Sequence, residues 1–192
     1  MFLKSIELNN FDTSKVIDMK YMFSTSSLTS LNIKNFNTNN LKELKGMFSN
    51  SKYLSILELG NNFITSKVRD ISELFKDCQS LNEINLKNFD TSEVTSMNEL
   101  FYNCYNLISI DLTEFNTKNV IDMSGLFQGC SKLTSLNLNN LITSKVIKMS
   151  HMFNSCSSLK ELNISNWDTS NVKYMNQMFF RCISMEYFDV SN

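Results

Sequence analysis

Five cysteines are the first residues in this chain that could do chemistry. Cys78, Cys104, Cys130, Cys156 and Cys182 recur every 26 residues, with Ser26 and Ser51 at the matching place earlier in the chain. Thiolates ligate zinc from closely spaced C-x-x-C pairs, and the sequence has none. Distance alone does not exclude disulfides, since neighbouring repeats can bring Cα atoms within bonding range. Five is an odd number, however, and each cysteine falls on an apolar stripe, where a free thiol behaves as a small hydrophobe. The expectation is a column of buried free thiols and no metal.

His151, the single histidine, lies between Ser150 and Met152, off the apolar stripe. With no second histidine and no nucleophile at the same repeat position, it supports no Ser-His-Asp chemistry and reads as an exposed surface residue. A threonine recurs in step: Thr13, Thr38, Thr65, Thr91, Thr117, Thr143 and Thr169. One threonine per unit, just ahead of an apolar run, is a helix N-cap signal rather than an ice-binding array. Met97, Met123 and Met149 recur at helical spacing and read as core. No catalytic residue and no cofactor is expected, so the chain is not read as an enzyme.

The most informative polar position lies between two apolar residues. It is occupied by Glu7, Asn32, Glu58, Asn85, Asp111, Asn137, Asn163 and Asp189, always an asparagine or a carboxylate. Strand alternation points these side chains away from the core. One reading is a solvated ladder that keeps the face soluble; the other is the floor of a recognition groove, which solenoids commonly use. Candidate ligand-binding residues on this face are Glu58, Glu83, Asn85, Lys87, Asp111, Asn137 and Asn163, with Ile56, Ile108 and Tyr187 as variable neighbours that would set specificity.

These residues are positioned by a repeat that fills the chain. Counting from the first apolar residue of each frame, units begin at Leu3, Leu28, Leu54, Leu81, Leu107, Leu133 and Leu159, with a partial unit from Met185; the spacings are 25, 26, 27, 26, 26, 26 and 26 residues. Such regularity leaves no room for a second domain, so residues 1–192 form a single solenoid. Each unit opens with L-x-x-L-x-L, whose last two apolar positions alternate as in a strand. An anchor follows (Phe11, Phe36, Phe63, Phe89, Phe115, Leu141 or Trp167), then the threonine, then apolar residues at offsets 0, 3, 6, 7 and 10. In the fifth unit these are Val120, Met123, Leu126, Phe127 and Cys130, a stripe that predicts a short helix. Parallel strands sit about 4.8 Å apart and packed helices about 8–10 Å. The predicted fold is therefore an α/β repeat solenoid: a right-handed curved array of about seven units, strands on the concave face, helices on the convex one.

Composition narrows the function classes. A formal charge of -1 with no block of like charge argues against nucleic acid and anionic membrane surfaces as partners. Apolar runs are too short to span a membrane, and Met1–Lys4 is followed by no signal-peptide core. Zero prolines and four glycines point to one connection reused many times. Neither end carries the polar substitutions of a capping repeat, so a fragment of a longer array, or end-to-end self-association, is expected.

L-x-x-L-x-L followed by F-D-T-S-x-V-x-x-M-x-x-[ML]-F-x-x-C resembles the BspA-type (Mycoplasma-type) leucine-rich repeat of bacterial surface proteins. Phe89-Asp90-Thr91-Ser92-Glu93-Val94 and Trp167-Asp168-Thr169-Ser170-Asn171-Val172 match it closely. The resemblance implies a cell-surface or secreted adhesin module that binds a protein or glycan ligand, without shared catalytic residues. The alternative is a structural spacer that presents another domain. Ordinary leucine-rich repeats carry asparagine three residues beyond the L-x-L frame; here that place holds the aromatic or leucine anchor, which implies apolar stacking in the turn.

Overall fold

The computed structural model describes residues 3–190. The repeated apolar positions build one continuous core. Leu81, Leu86, Phe89, Val94, Met97, Leu100, Phe101 and Cys104 are buried in one coil, and Leu107, Leu112, Phe115, Val120, Met123, Leu126, Phe127 and Cys130 take the same places in the next. A phenylalanine stack runs along the axis through Phe48, Phe75, Phe101, Phe127, Phe153 and Phe179. Its rings lie nearly parallel, with neighbouring centroids 5.6 Å, 5.6 Å, 5.8 Å, 5.9 Å and 5.6 Å apart. Each such contact contributes about 0.5–1.5 kcal/mol beyond the burial itself.

The strand side is shorter than the pattern predicts. Among the described residues, β1 (Ser30–Asn32) pairs in parallel with β2 (Ile56–Glu58), and β3 (Glu161–Asn163) with β4 (Tyr187–Asp189). Between these two pairs the frame segments follow the same course but carry only isolated inter-coil bonds, such as Ile108 N–H to Asn82 O at 3.1 Å.

The second half of each coil is not helical, and this corrects the predicted helices. From Met97 to Cys104 the amides alternate between two kinds of partner. Met97, Glu99, Phe101 and Asn103 donate to the next coil, at Asp122, Ser124, Leu126 and Gln128; Leu100, Tyr102 and Cys104 donate three residues back. An α-helix would send every amide to i−4. Glu99 and Asn103 have φ of 55° and 56°, and both fall at the third residue of a tight turn, the type II signature. A succession of tight turns also repeats its inward positions every three to four residues, so the apolar offsets alone do not separate it from a helix.

The threonine has a different task from the predicted N-cap. Buried Thr117 donates its hydroxyl to Ile142 O (2.9 Å) and accepts from Ile142 N–H (2.7 Å). Thr91 does the same with Asn116, at 3.1 and 2.8 Å. The hydroxyl thus stands in for a backbone rung between coils. With the wide helix layer gone and backbone ladders tying coils together on the turn side, the spacing argument for a concave strand face lapses.

Three corners of the coil are short Asx turns, in which a side-chain oxygen accepts the amide two residues on. Asn85 accepts from Lys87 (3.1 Å), Asp90 from Ser92 (2.9 Å) and Asp122 from Ser124 (2.9 Å). Such corners need neither proline nor glycine, which accounts for the scarcity of both.

Candidate functional site

The cysteine column is packing. Each thiol donates to the phenylalanine carbonyl one coil back: Cys78 to Phe48 (3.2 Å), Cys104 to Phe75 (3.1 Å), Cys130 to Phe101 (3.2 Å). Burial pushes the Cys78 and Cys130 thiols up to about 12, so they hold their protons at neutral pH. All five are free, and Cys182 is half-buried. Among the described residues no cluster of three or more His, Cys, Asp or Glu side chains could hold a metal ion. His151 is half-buried rather than exposed. It sits at a turn with φ of 60°, its ring nitrogens 3.2 Å from Asn154 Nδ2 and 3.1 Å from Asn176 Nδ2.

The seven candidate residues divide into groups with different constraints. Asn85, Asp111, Asn137 and Asn163 are exposed on the strand side. Each spends one oxygen on its own corner: Asp111 accepts from Thr113 N–H (3.0 Å), Asn137 from Asn139 (3.2 Å) and Asn163 from Ser165 (3.0 Å). These side chains are therefore structural on one atom and presented to solvent on the rest. The Thr113 hydroxyl, then its amide, hold the Asp111 carboxyl below the ordinary carboxylate value, and the nearby Lys87 charge adds to this. Glu83 and Lys87 are exposed, and neither side chain closes a corner, Lys87 giving only its amide to that of Asn85.

Glu58 departs from the pattern. It ends β2 half-buried, and its carboxylate pairs with Lys34 Nζ at 3.0 Å. In this coil one extra residue separates the frame from the anchor, giving Leu59-Gly60-Asn61-Asn62-Phe63. Gly60 packs so closely that an added Cβ would lie 2.1 Å from Lys34 O. Beside it opens a cleft of about 580 Å³, lined by Lys34, Glu58, Asn61, Asn62, Asn85 and Asn88 over the buried Phe63 and Phe89. A second groove, lined by Ile56, Glu83 and Asn85, shares Leu57 and Asn85 with it. Glu58, Glu83 and Asn85 are thus brought to one place, whereas Asp111, Asn137 and Asn163 lie on coils beyond the cleft. Sequence reasoning missed Lys34, Asn61, Asn62 and Asn88. The signal was the 27-residue spacing combined with a glutamate too long for the usual corner.

No curated protein matches the chain. Among solved structures, a leucine-rich repeat protein of T. pallidum aligns over 92% of this chain and 75% of its own, at 20% identity and a TM-score of 0.60. A leucine-rich repeat protein of Eubacterium ventriosum aligns over 81% of this chain and 43% of its own, at 16% identity and a TM-score of 0.50. At these identities the likeness shows the fold: a leucine-rich-repeat-type solenoid. A family described as "Mycoplasma protein of unknown function, DUF285" matches residues 1–109, 32–136, 55–158 and 105–192. Those matches cover the chain from end to end, and the chain belongs to this BspA-like repeat family.

Proposed function

We propose that the chain is a non-enzymatic module that binds a macromolecule, protein or glycan, through its strand side, as part of a cell-surface or secreted adhesin. The observation that carries this reading is the line of outward-facing polar side chains from Glu58 through Glu83, Asn85, Lys87 and Asp111 to Asn137 and Asn163. It is interrupted by exposed Ile56 and Ile108. Repeat solenoids present such surfaces to partners, and a mixed polar face with isolated apolar anchors is the usual make-up of a recognition surface. A leucine-rich-repeat fold and membership of a BspA-like family support the same reading.

The test uses substitutions that spare the corners. Glu83→Lys and Lys87→Glu reverse two exposed charges without removing an Asx turn. The double variant should retain its unfolding midpoint and lose about tenfold or more in affinity for a captured partner, equivalent to about 1.4 kcal/mol. Undiminished affinity in a folded variant refutes the strand-side assignment.

A further inference from the structure

We propose that the cleft beside Gly60 is a saccharide-binding subsite, taking a short, uncharged oligosaccharide segment. This rests on the strand-side reading above and adds a location and a ligand class. At about 580 Å³ the cleft falls within the roughly 300–1,000 Å³ typical of small-ligand sites. A protein partner instead needs a face of about 800 Å². The chain departs from its own repeat here in three ways: an inserted residue, a glutamate in place of the Asx corner, and a glycine pressed onto Lys34 O. Departures from an otherwise consistent local rule concentrate at functional sites.

The lining selects the ligand. Asn61, Asn62, Asn85 and Asn88 bring four primary amides to the cleft, and Asn88 Nδ2 donates to Asn61 Oδ1 at 3.3 Å. Primary amides both donate and accept, as do the vicinal hydroxyls of a sugar. The one carboxylate, Glu58, is already neutralised by Lys34 at 3.0 Å, so the site offers no net charge to an anionic or cationic ligand. It retains a strong acceptor for hydroxyl donors. Half-buried Leu57 and Leu59 supply apolar surface for C–H groups.

The test is NMR titration of the 192-residue chain with cellotriose, maltotriose and N,N′-diacetylchitobiose, following side-chain amide resonances. One of these sugars should shift the Asn61 and Asn88 side-chain signals, and Asn61→Ala/Asn88→Ala should weaken its binding at least tenfold while leaving the backbone spectrum folded. No shift with any of the three overturns the saccharide assignment, as does a shift confined to Asn137 and Asn163. If a protein partner is instead bound with unchanged affinity by the Asn61→Ala/Asn88→Ala variant and lost in the Glu83→Lys/Lys87→Glu variant, the subsite fails and the strand-side reading stands.

Discussion

A single hydroxyl does more for this fold than its size suggests. Thr117 is buried and exchanges two hydrogen bonds with one residue of the next coil, Ile142. Thr117→Val keeps the shape and removes both, leaving the Ile142 amide and carbonyl without that partner. Ile142 is itself exposed, so water can take over part of the loss and each bond is worth about 0.5–1.5 kcal/mol; the variant should lose about 1–3 kcal/mol in a urea unfolding experiment. Thr169 occupies the same repeat position but is exposed, and Thr169→Val should change stability by less than about 0.5 kcal/mol. Equal losses at both positions would show that the local turn, not the inter-coil rung, is what the hydroxyl supports. The sequence announces that a threonine is required, because it recurs without exception. It does not announce why, since a hydroxyl ahead of an apolar run fits an N-cap and an inter-coil bridge alike; only the position of the next coil decides.

The turn segments follow their own rule, and one residue breaks it. Two positions per coil have positive φ; the second is filled by Thr25, Asn50, Asp77, Asn103, Gly129, Ser155 and Arg181, with φ between 56° and 77°. Left-handed backbone costs L-residues roughly 1–2 kcal/mol, with asparagine and glycine excused, and it is most unfavourable for a β-branched side chain. Thr25 is the one β-branched residue in that set. It is exposed, and its amide bond to Ser49 O at 2.8 Å belongs to the backbone. Thr25→Asn should therefore stabilise the protein by about 1 kcal/mol, read as a raised unfolding midpoint; no gain would mean that the exposed 3.4 Å contact between Thr25 Oγ1 and Ser24 Oγ compensates for the strain. The same residues explain which elements were legible. The core faces, the strand frame and the buried cysteines follow from apolar spacing alone. The turns did not, because inward positions spaced three or four apart serve a helix and a spiral of type II turns equally. Asn50, Asn103 and Gly129 at one repeat position were the available sign of left-handed backbone.

Along the whole array, most of the candidate binding residues also close corners of the fold, which is why the candidate site was only partly legible. Alternation identifies Asn85, Asp111 and Asn137 as outward-facing, but not that each also closes a corner; the cleft at Gly60 is visible only as a 27-residue spacing. The corner role has a consequence for acid stability. The carboxyls of Asp12, Asp90, Asp111 and Asp168 all lie below the ordinary value. In each the hydroxyl of the residue two positions on is the main cause and its amide the second: Ser14, Ser92, Thr113 and Ser170. A carboxyl depressed in the folded chain contributes stability above its unfolded value, about 3.9, and that contribution is lost as pH falls through the folded value. The unfolding midpoint in urea should accordingly drop as pH is lowered from about 5 to about 3, because the unfolded chain binds more protons there. Asn37 and Asn116 already make the same corner without charge, accepting from Asn39 (3.1 Å) and Lys118 (3.2 Å). Replacing all four aspartates with asparagine should therefore preserve the fold at pH 7 and flatten the acid slope. A quadruple variant as acid-sensitive as the parent would show that protonation at the corners does not set the acid slope.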